Sequence, residues 1–333
     1  MILDIQPLGF QWRTYDPFLF CAFHKDDFPK GNDTLGPAAA LTGRNIGMDF
    51  EIRDGFRMYH GDKVPGFPGH PHRGFETVTI VQKGLVDHAD SLGAAGRYGN
   101  GDVQWLTTGR GVQHSEMFPL TEQEQPNPLL LFQVWLNLPS KHKMVDPHFA
   151  MFWGKDLPVV HEQDSAGRAI KIEITAGDYK DTKALAPPPH SWAADTANGV
   201  AMWVIDLAPN AEWELPAAAP GLNRTLYFFE GHSAKIAGHT IAARHGVKVE
   251  SDKALALQNN EEPARFLLLQ GKPINEPVAQ HGPFVMNTRE ELVQAFADYQ
   301  RTQFGGWPWP RADQVHGRRG RFARFADGAE VEP

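Results

Sequence analysis

Cysteine is almost missing from this chain: Cys21 is the only one among 333 residues. No intramolecular disulfide can form, and the chain reads as a protein of a reducing compartment. Long apolar runs are missing as well. No stretch approaches the ~20 consecutive apolar residues that a membrane span requires. The start, MILDIQPLGFQW, lacks the basic region and sustained apolar run of a signal peptide. The expectation is a soluble, cytoplasmic protein. Positive charge is not in excess either. The 32 Lys and Arg stand against 40 Asp and Glu, a formal net charge of −8. That argues against non-specific nucleic-acid binding by the chain as a whole.

What is present points to β-structure. The 32 glycines and 26 prolines suit a turn-rich fold, and the length allows two modest barrels. Strand-like runs recur: 75–81 (FETVTIV), 129–136 (LLLFQVWL), the alternating 170–174 (IKIEI), 202–207, 224–229 and 264–269. Residues 24–66 are punctuated by Gly, Asp and Pro and read as an inserted loop with a short helix near Ala38, either part of the mouth of the site that follows or a surface excursion. Pro187-Pro188-Pro189 interrupts regular structure before a second β region. Thr288 and Glu291 form an S/T-x-x-E capping box opening a helix to about Gln303, with Leu292, Phe296 and Tyr299 or Gln300 on one side. The arginines in 316–328 (HGRRGRFARFADG) read as a solvated tail. The boundaries that follow are 1–140 for a first barrel carrying the 24–66 insertion, 141–287 for a second, and 288–333 for a C-terminal helix and tail packing back on the barrels.

Two stretches carry chemistry. HPHRGFETVTIV begins at His70, and GDVQWLTTGRGVQHSEM begins at Gly101. The first pairs His70 with His72, the second His114 with Glu116, each at i, i+2. On a strand such residues share a face, roughly 6.5 Å apart along the chain, whereas on a helix they would splay apart. Two such strands side by side bring three imidazoles and a carboxylate together, a donor set for a divalent transition metal. Pro71, lacking an N–H, favours an edge strand. Glu76 shares strand parity with the two histidines, so geometry does not exclude it from the cluster. A closed structural zinc site is the competing chemistry, though a chain long enough to bury a core needs no stapling metal.

The HPHRGFETVT and GDVQWLTTGRGVQHSEM stretches, with WLNLP at 135–139 and FGGWPW at 304–309, resemble the pirin family of bicupins. The resemblance implies an all-β fold of two cupin-type jelly-roll barrels with a short C-terminal helix. It also implies a metal held by His70, His72, His114 and Glu116, with Glu76 behind them as a pocket acid. Fe(II) is the usual metal, with Ni, Cu, Mn or Zn as alternatives. The general cupin spacing is met imperfectly: the glycine after Glu76 falls one residue late, at Gly84, and none stands six before His70. The second barrel offers no matching histidines along GLNRTLYFFEG and is read as structural and metal-free.

The implied activity is flavonol (quercetin) 2,3-dioxygenase-like ring cleavage of a small aromatic substrate by O2. Glu116 or Glu76 would take the substrate hydroxyl proton, and Phe67, Phe75 and Trp105 would form an apolar wall. Arg73 and Arg110 would balance charge at the mouth or make surface pairs. The alternative implied by the resemblance is a non-catalytic, iron-dependent regulator that binds a protein partner.

Overall fold

The computed structural model describes residues 1–333, and the chain divides into two compact units. One comprises 1–22, 135–137 and 156–275, and the other 23–134, 138–155 and 276–333.

The first unit is built on a seven-stranded antiparallel sheet. Its order is Ile2–Pro7, His245–Val249, Asn223–Glu230, Ala264–Gly271, Ala201–Leu207, Ala169–Ala176 and Val159–Gln163. A four-stranded sheet, Glu212–Leu215, Leu255–Asn259, Ser233–Ile236 and His239–Ala242, completes it. Alternation decides which face is buried. Ile170, Ile172 and Ile174 lie opposite Leu207, Ile205 and Trp203, and all six belong to one core with Leu226, Phe228, Phe266 and Leu268. Removing such side chains from water at about 25 cal/mol per Å2 is what holds the sheets together.

The second unit is built on two larger sheets, beside the two-stranded ladder of Ala279–His281 with Phe284–Met286. In one, His148–Phe152, Val103–Thr107, Phe75–Lys83 and the 127–134 and 23–28 parts of Asn127–Asn137 and Phe18–Phe28 are neighbours in that order. In the other the order is Glu330–Val331, Phe322–Arg324, Ala95–Gly99, Leu85–Asp90, Val112–Met117 and Gly66–His72. Pro71 therefore sits on an edge strand, where its missing N–H costs no ladder bond.

The helix Arg289–Thr302 has its full capping box: Thr288 Oγ1 accepts from Glu291 N–H and the Glu291 carboxylate accepts from Thr288 N–H. Its apolar face puts Leu292, Ala295, Phe296 and Tyr299 against Phe284 and Phe304. Two local expectations differ from what is found. No helix forms near Ala38, where the chain is turns and isolated bridges. The arginine-rich tail keeps Arg318 half exposed but is tied to a sheet rather than wholly solvated. Phe322–Arg324 pairs with Ala95–Gly99, and Arg321 Nη1 reaches the buried Asp102 carboxylate at 2.9 Å.

Candidate metal centre

Gly66–His72 and Val112–Met117 pair antiparallel with His70 directly opposite His114 and Phe67 opposite Glu116. A register shift between Phe67 and His70 puts an irregularity where the chain must bring three rings together. The outcome is a tight cluster. Ring centroids are 4.6 Å apart for His70 and His114, 4.8 Å for His70 and His72, and 4.9 Å for His72 and His114. One donor nitrogen from each ring lies within 4.8 Å of the others. His72 and His114 are 3% and 0% exposed while His70 is half-buried, so access is from the His70 side.

The rings are prepared as neutral donors. Burial lowers the His70 pKa to about 4 and holds His72 and His114 well below the ordinary imidazole value. His70 Nδ1–H donates to the Pro68 carbonyl at 2.9 Å, and His72 Nδ1 faces the Pro283 carbonyl at 3.3 Å. Each contact favours the tautomer with its proton on Nδ1 and its lone pair on Nε2, the arrangement of a metal-ligating imidazole. Neither ring nitrogen of His114 has a hydrogen-bond partner, although the side chain is fully buried. An orphaned buried polar group of this kind costs about 1–3 kcal/mol. A cation accepting its lone pair removes that cost, so the donor set fits a divalent metal.

Glu116 stands at the cluster's edge, with Oε2 3.8 Å from His114 Nε2. Thr79 Oγ1–H donates to Oε1 at 3.0 Å and Gln133 Nε2–H makes a short bond to Oε2. Burial, the largest cause, raises the Glu116 pKa, opposed by His88, Thr79 and Gln133.

The structure brings together His70, His72, His114, Glu116, Phe67 and Phe75. The Phe75 ring is 5.1 Å from His72 and that of Phe67 is 6.4 Å from His70. Phe50, Tyr59 and His60, from the 24–66 segment, pack around Phe67.

It places Glu76 and Trp105 elsewhere. In the pairing of Phe75–Lys83 with Val103–Thr107, Thr79 faces Gln104, Val78 faces Trp105 and Glu76 faces Thr107. Thr79 points to Glu116, so alternation sends Glu76, Val78 and Trp105 to the opposite face. There Glu76 accepts from Thr107 Oγ1 at 2.7 Å, and the Trp105 ring lies 6.2 Å from that of Phe152. The parity argument for Glu76 fails at the Arg73-Gly74 bend. Gly74 has φ of +89° and an added Cβ would sit 2.0 Å from the Val285 carbonyl oxygen, so the count is reset between the two strands.

Arg73 is buried against Asp298 at 2.9 Å, whereas Arg110 makes an exposed pair with Asp146. Sequence reasoning missed Thr79 and Gln133. Gln133 was detectable as the one polar residue inside the apolar run 129–136. It also missed His88, which is fully buried, directly opposite Glu116 in register, with its ring 5.5 Å from His114. Its signal was a further i, i+2 pair, His88 with Asp90, bonded at 3.2 Å.

Two β-barrel units, with an inward histidine cluster on paired strands of the unit that holds residues 23–134, define a bicupin with a candidate metal centre. The chain belongs to the pirin family. Residues 7–136 match the Pirin family model and residues 202–305 the model described as the pirin C-terminal cupin domain. It is 37% identical over 270 residues to a pirin-like protein of Solanum lycopersicum, covering 78% of this chain and 86% of the tomato protein. It is 34% identical over 248 residues to a Pseudomonas aeruginosa protein provisionally named a quercetin 2,3-dioxygenase, covering 72% of this chain and 79% of that one. Among solved structures it is similar to quercetin 2,3-dioxygenase from Acinetobacter baumannii. The TM-score is 0.73 at 26% identity, covering 92% of this chain and 98% of that one.

Proposed function

We propose that the protein is a metal-dependent dioxygenase of the quercetin 2,3-dioxygenase type, opening the ring of a flavonol or similar aromatic hydroxy-ketone with O2. The observation that carries this reading is the cluster of three neutral imidazoles around the orphaned nitrogens of His114, beside a carboxylate and open on one side. His70, His72 and His114 hold the metal, with Glu116 as fourth donor. Fe(II) is the first candidate, with Ni, Cu, Mn and Zn as the others. Bound there, such an ion supplies Lewis acidity and, when redox-active, the electrons that bring O2 into reaction.

The protein's own groups do the rest. Glu116, a stronger base than an ordinary carboxylate because it is buried, would take the substrate hydroxyl proton on shifting off the metal; Thr79 donates to its Oε1 and Gln133 to its Oε2, which keeps the carboxylate at the cluster's edge. Transfer of this kind contributes ~10²–10⁴ in rate. Phe67 and Phe75, flanking His70 and His72, form the wall for a planar aromatic ring. Trp105 and Glu76, on the reverse face of their sheet, take no part.

The test is consumption of quercetin in air by protein reconstituted with Fe(II), followed by loss of flavonol absorbance. The expected result is turnover that disappears in His72→Ala and falls by about 10²-fold or more in Glu116→Gln. Metal-loaded protein that leaves quercetin intact contradicts the reading.

A further inference from the structure

The barrel without the histidine cluster contains a cavity of about 760 Å3, within the ~300–1,000 Å3 typical of small-molecule sites. Its floor lies at one end of the sheet interior. Arg224 on Asn223–Glu230 pairs across with Gln270 on Ala264–Gly271, which pairs in turn with Ala201 on Ala201–Leu207. The next inward residues on these three strands, Leu226, Leu268 and Trp203, belong to the core. The walls are mostly apolar, including Ala176, Val200, Ala201 and Trp203, with Asp178, Lys180, Lys183 and Thr196 also on the lining.

One charge in this setting has no counter-charge. Arg224 is 1% exposed. Its Nε donates to Gln270 Oε1 at 2.5 Å and its Nη1 to the Pro216 carbonyl at 2.8 Å, both neutral acceptors. Gln270 is itself held by Nε2 donating to the Gly199 carbonyl at 2.9 Å. Burial alone lowers the Arg224 pKa, to about 10, with no carboxylate contributing. The other deeply buried arginines differ. Arg44, Arg57, Arg73 and Arg97 meet Asp49, Asp26, Asp298 and Asp87 at 2.7–2.9 Å. At the mouth, Lys180 and Lys183 are already paired with Glu162 and Asp178.

A guanidinium stays charged in a protein and carries five N–H donors. Two are used here, one on Nε and one on Nη1, which leaves Nη2 without a partner and able to donate to a carboxylate. Leaving such a charge buried and unpaired is costly, and an anionic ligand removes that cost.

We propose that this cavity binds a small organic carboxylate with an apolar body, the carboxylate on Arg224 and the body against Trp203, Val200 and Ala201. The site is independent of the histidine cluster and of the reaction assigned to it.

The experiment is calorimetric titration of the intact protein with octanoate and with benzoate, using octanol and benzamide as uncharged counterparts. The expected result is saturable binding of a carboxylate at one site per chain and none of its uncharged counterpart. Arg224→Gln should weaken binding about tenfold or more, and Arg224→Lys, which keeps the charge but loses the fork, should fall between. Ala193→Trp narrows the cavity without touching Arg224 and should also abolish binding, which keeps the test usable if Arg224→Gln does not fold. His72→Ala should bind as the parent does. Absence of saturable binding with either carboxylate, or undiminished binding to Arg224→Gln or Ala193→Trp, overturns the proposal and leaves Arg224 as a brace between Pro216 and Gln270.

Discussion

Gln133 stands in the middle of an apolar strand, flanked by Phe132 and Val134, both fully buried. A polar amide in that position is tolerated because its N–H finds the Glu116 carboxylate, which Thr79 holds from the other side. Gln133→Leu leaves a buried carboxylate oxygen short of a donor. Equilibrium urea unfolding should show a loss of about 1–3 kcal/mol, and titration with metal should show affinity falling about 10–100-fold, the usual cost of removing a group that orients a ligand. His24 gives a pH prediction. Burial, assisted by the Arg57 charge, lowers its pKa from 6.5 to about 3. Between those values the unfolded chain binds a proton that the folded chain refuses, so the His24 contribution to stability is complete above 6.5 and is lost as pH falls toward 3. From pH 7 to pH 5 this one group removes about 2 kcal/mol. His24→Phe, keeping a ring among Tyr59, Phe67 and Phe118, should lose less stability over that interval by the same urea measurement. Much of the residue scale was legible in the sequence, because i, i+2 pairs need only one local rule to be placed on a common face. Glu76 and Trp105 were not, because the Gly74 bend and the pairing register between strands are set by contacts far along the chain.

The edge strand Gly66–His72 depends on a close approach that only glycine permits. Gly66 has φ of +133°, and an added Cβ would lie 2.5 Å from the Glu116 carbonyl oxygen and 2.7 Å from Met117 Cα. Gly66→Ala must push the two histidine-bearing strands apart where they approach closely. The expected outcome is weaker metal binding together with a loss of about 1–3 kcal/mol of stability, both readable from one unfolding series with and without metal. Normal metal affinity in this variant would show that the strand spacing is not what aligns the histidines. Other elements divide by the range of the contacts that make them. The helix after Thr288 was readable from its cap and apolar face, both local signals. The strand on which the tail packs, Ala95–Gly99 beside Phe322–Arg324, was not, because that partner lies more than two hundred residues away. The same holds for Ile2–Pro7, which pairs with His245–Val249. No period in either segment announces such a partner.

At the scale of the whole molecule, chain order does not follow compact unit. The first 22 residues belong with 156–275, and residues 276–333 return to the unit that holds the histidines. Two cupin domains in one chain, with pirin family matches to both, fix the fold and the family. No helix is long and apolar enough to cross a membrane. The account of function rests on a single ion drawn to three imidazoles in one of the two units. It is tested most directly by elemental analysis of protein reconstituted with Fe(II) without O2 and then desalted, comparing the parent with His70→Ala, His72→Ala and His114→Ala. One metal per chain in the parent, and far less than one in each variant, is the predicted result. Full metal content in all three variants, or none retained by the parent, would contradict it.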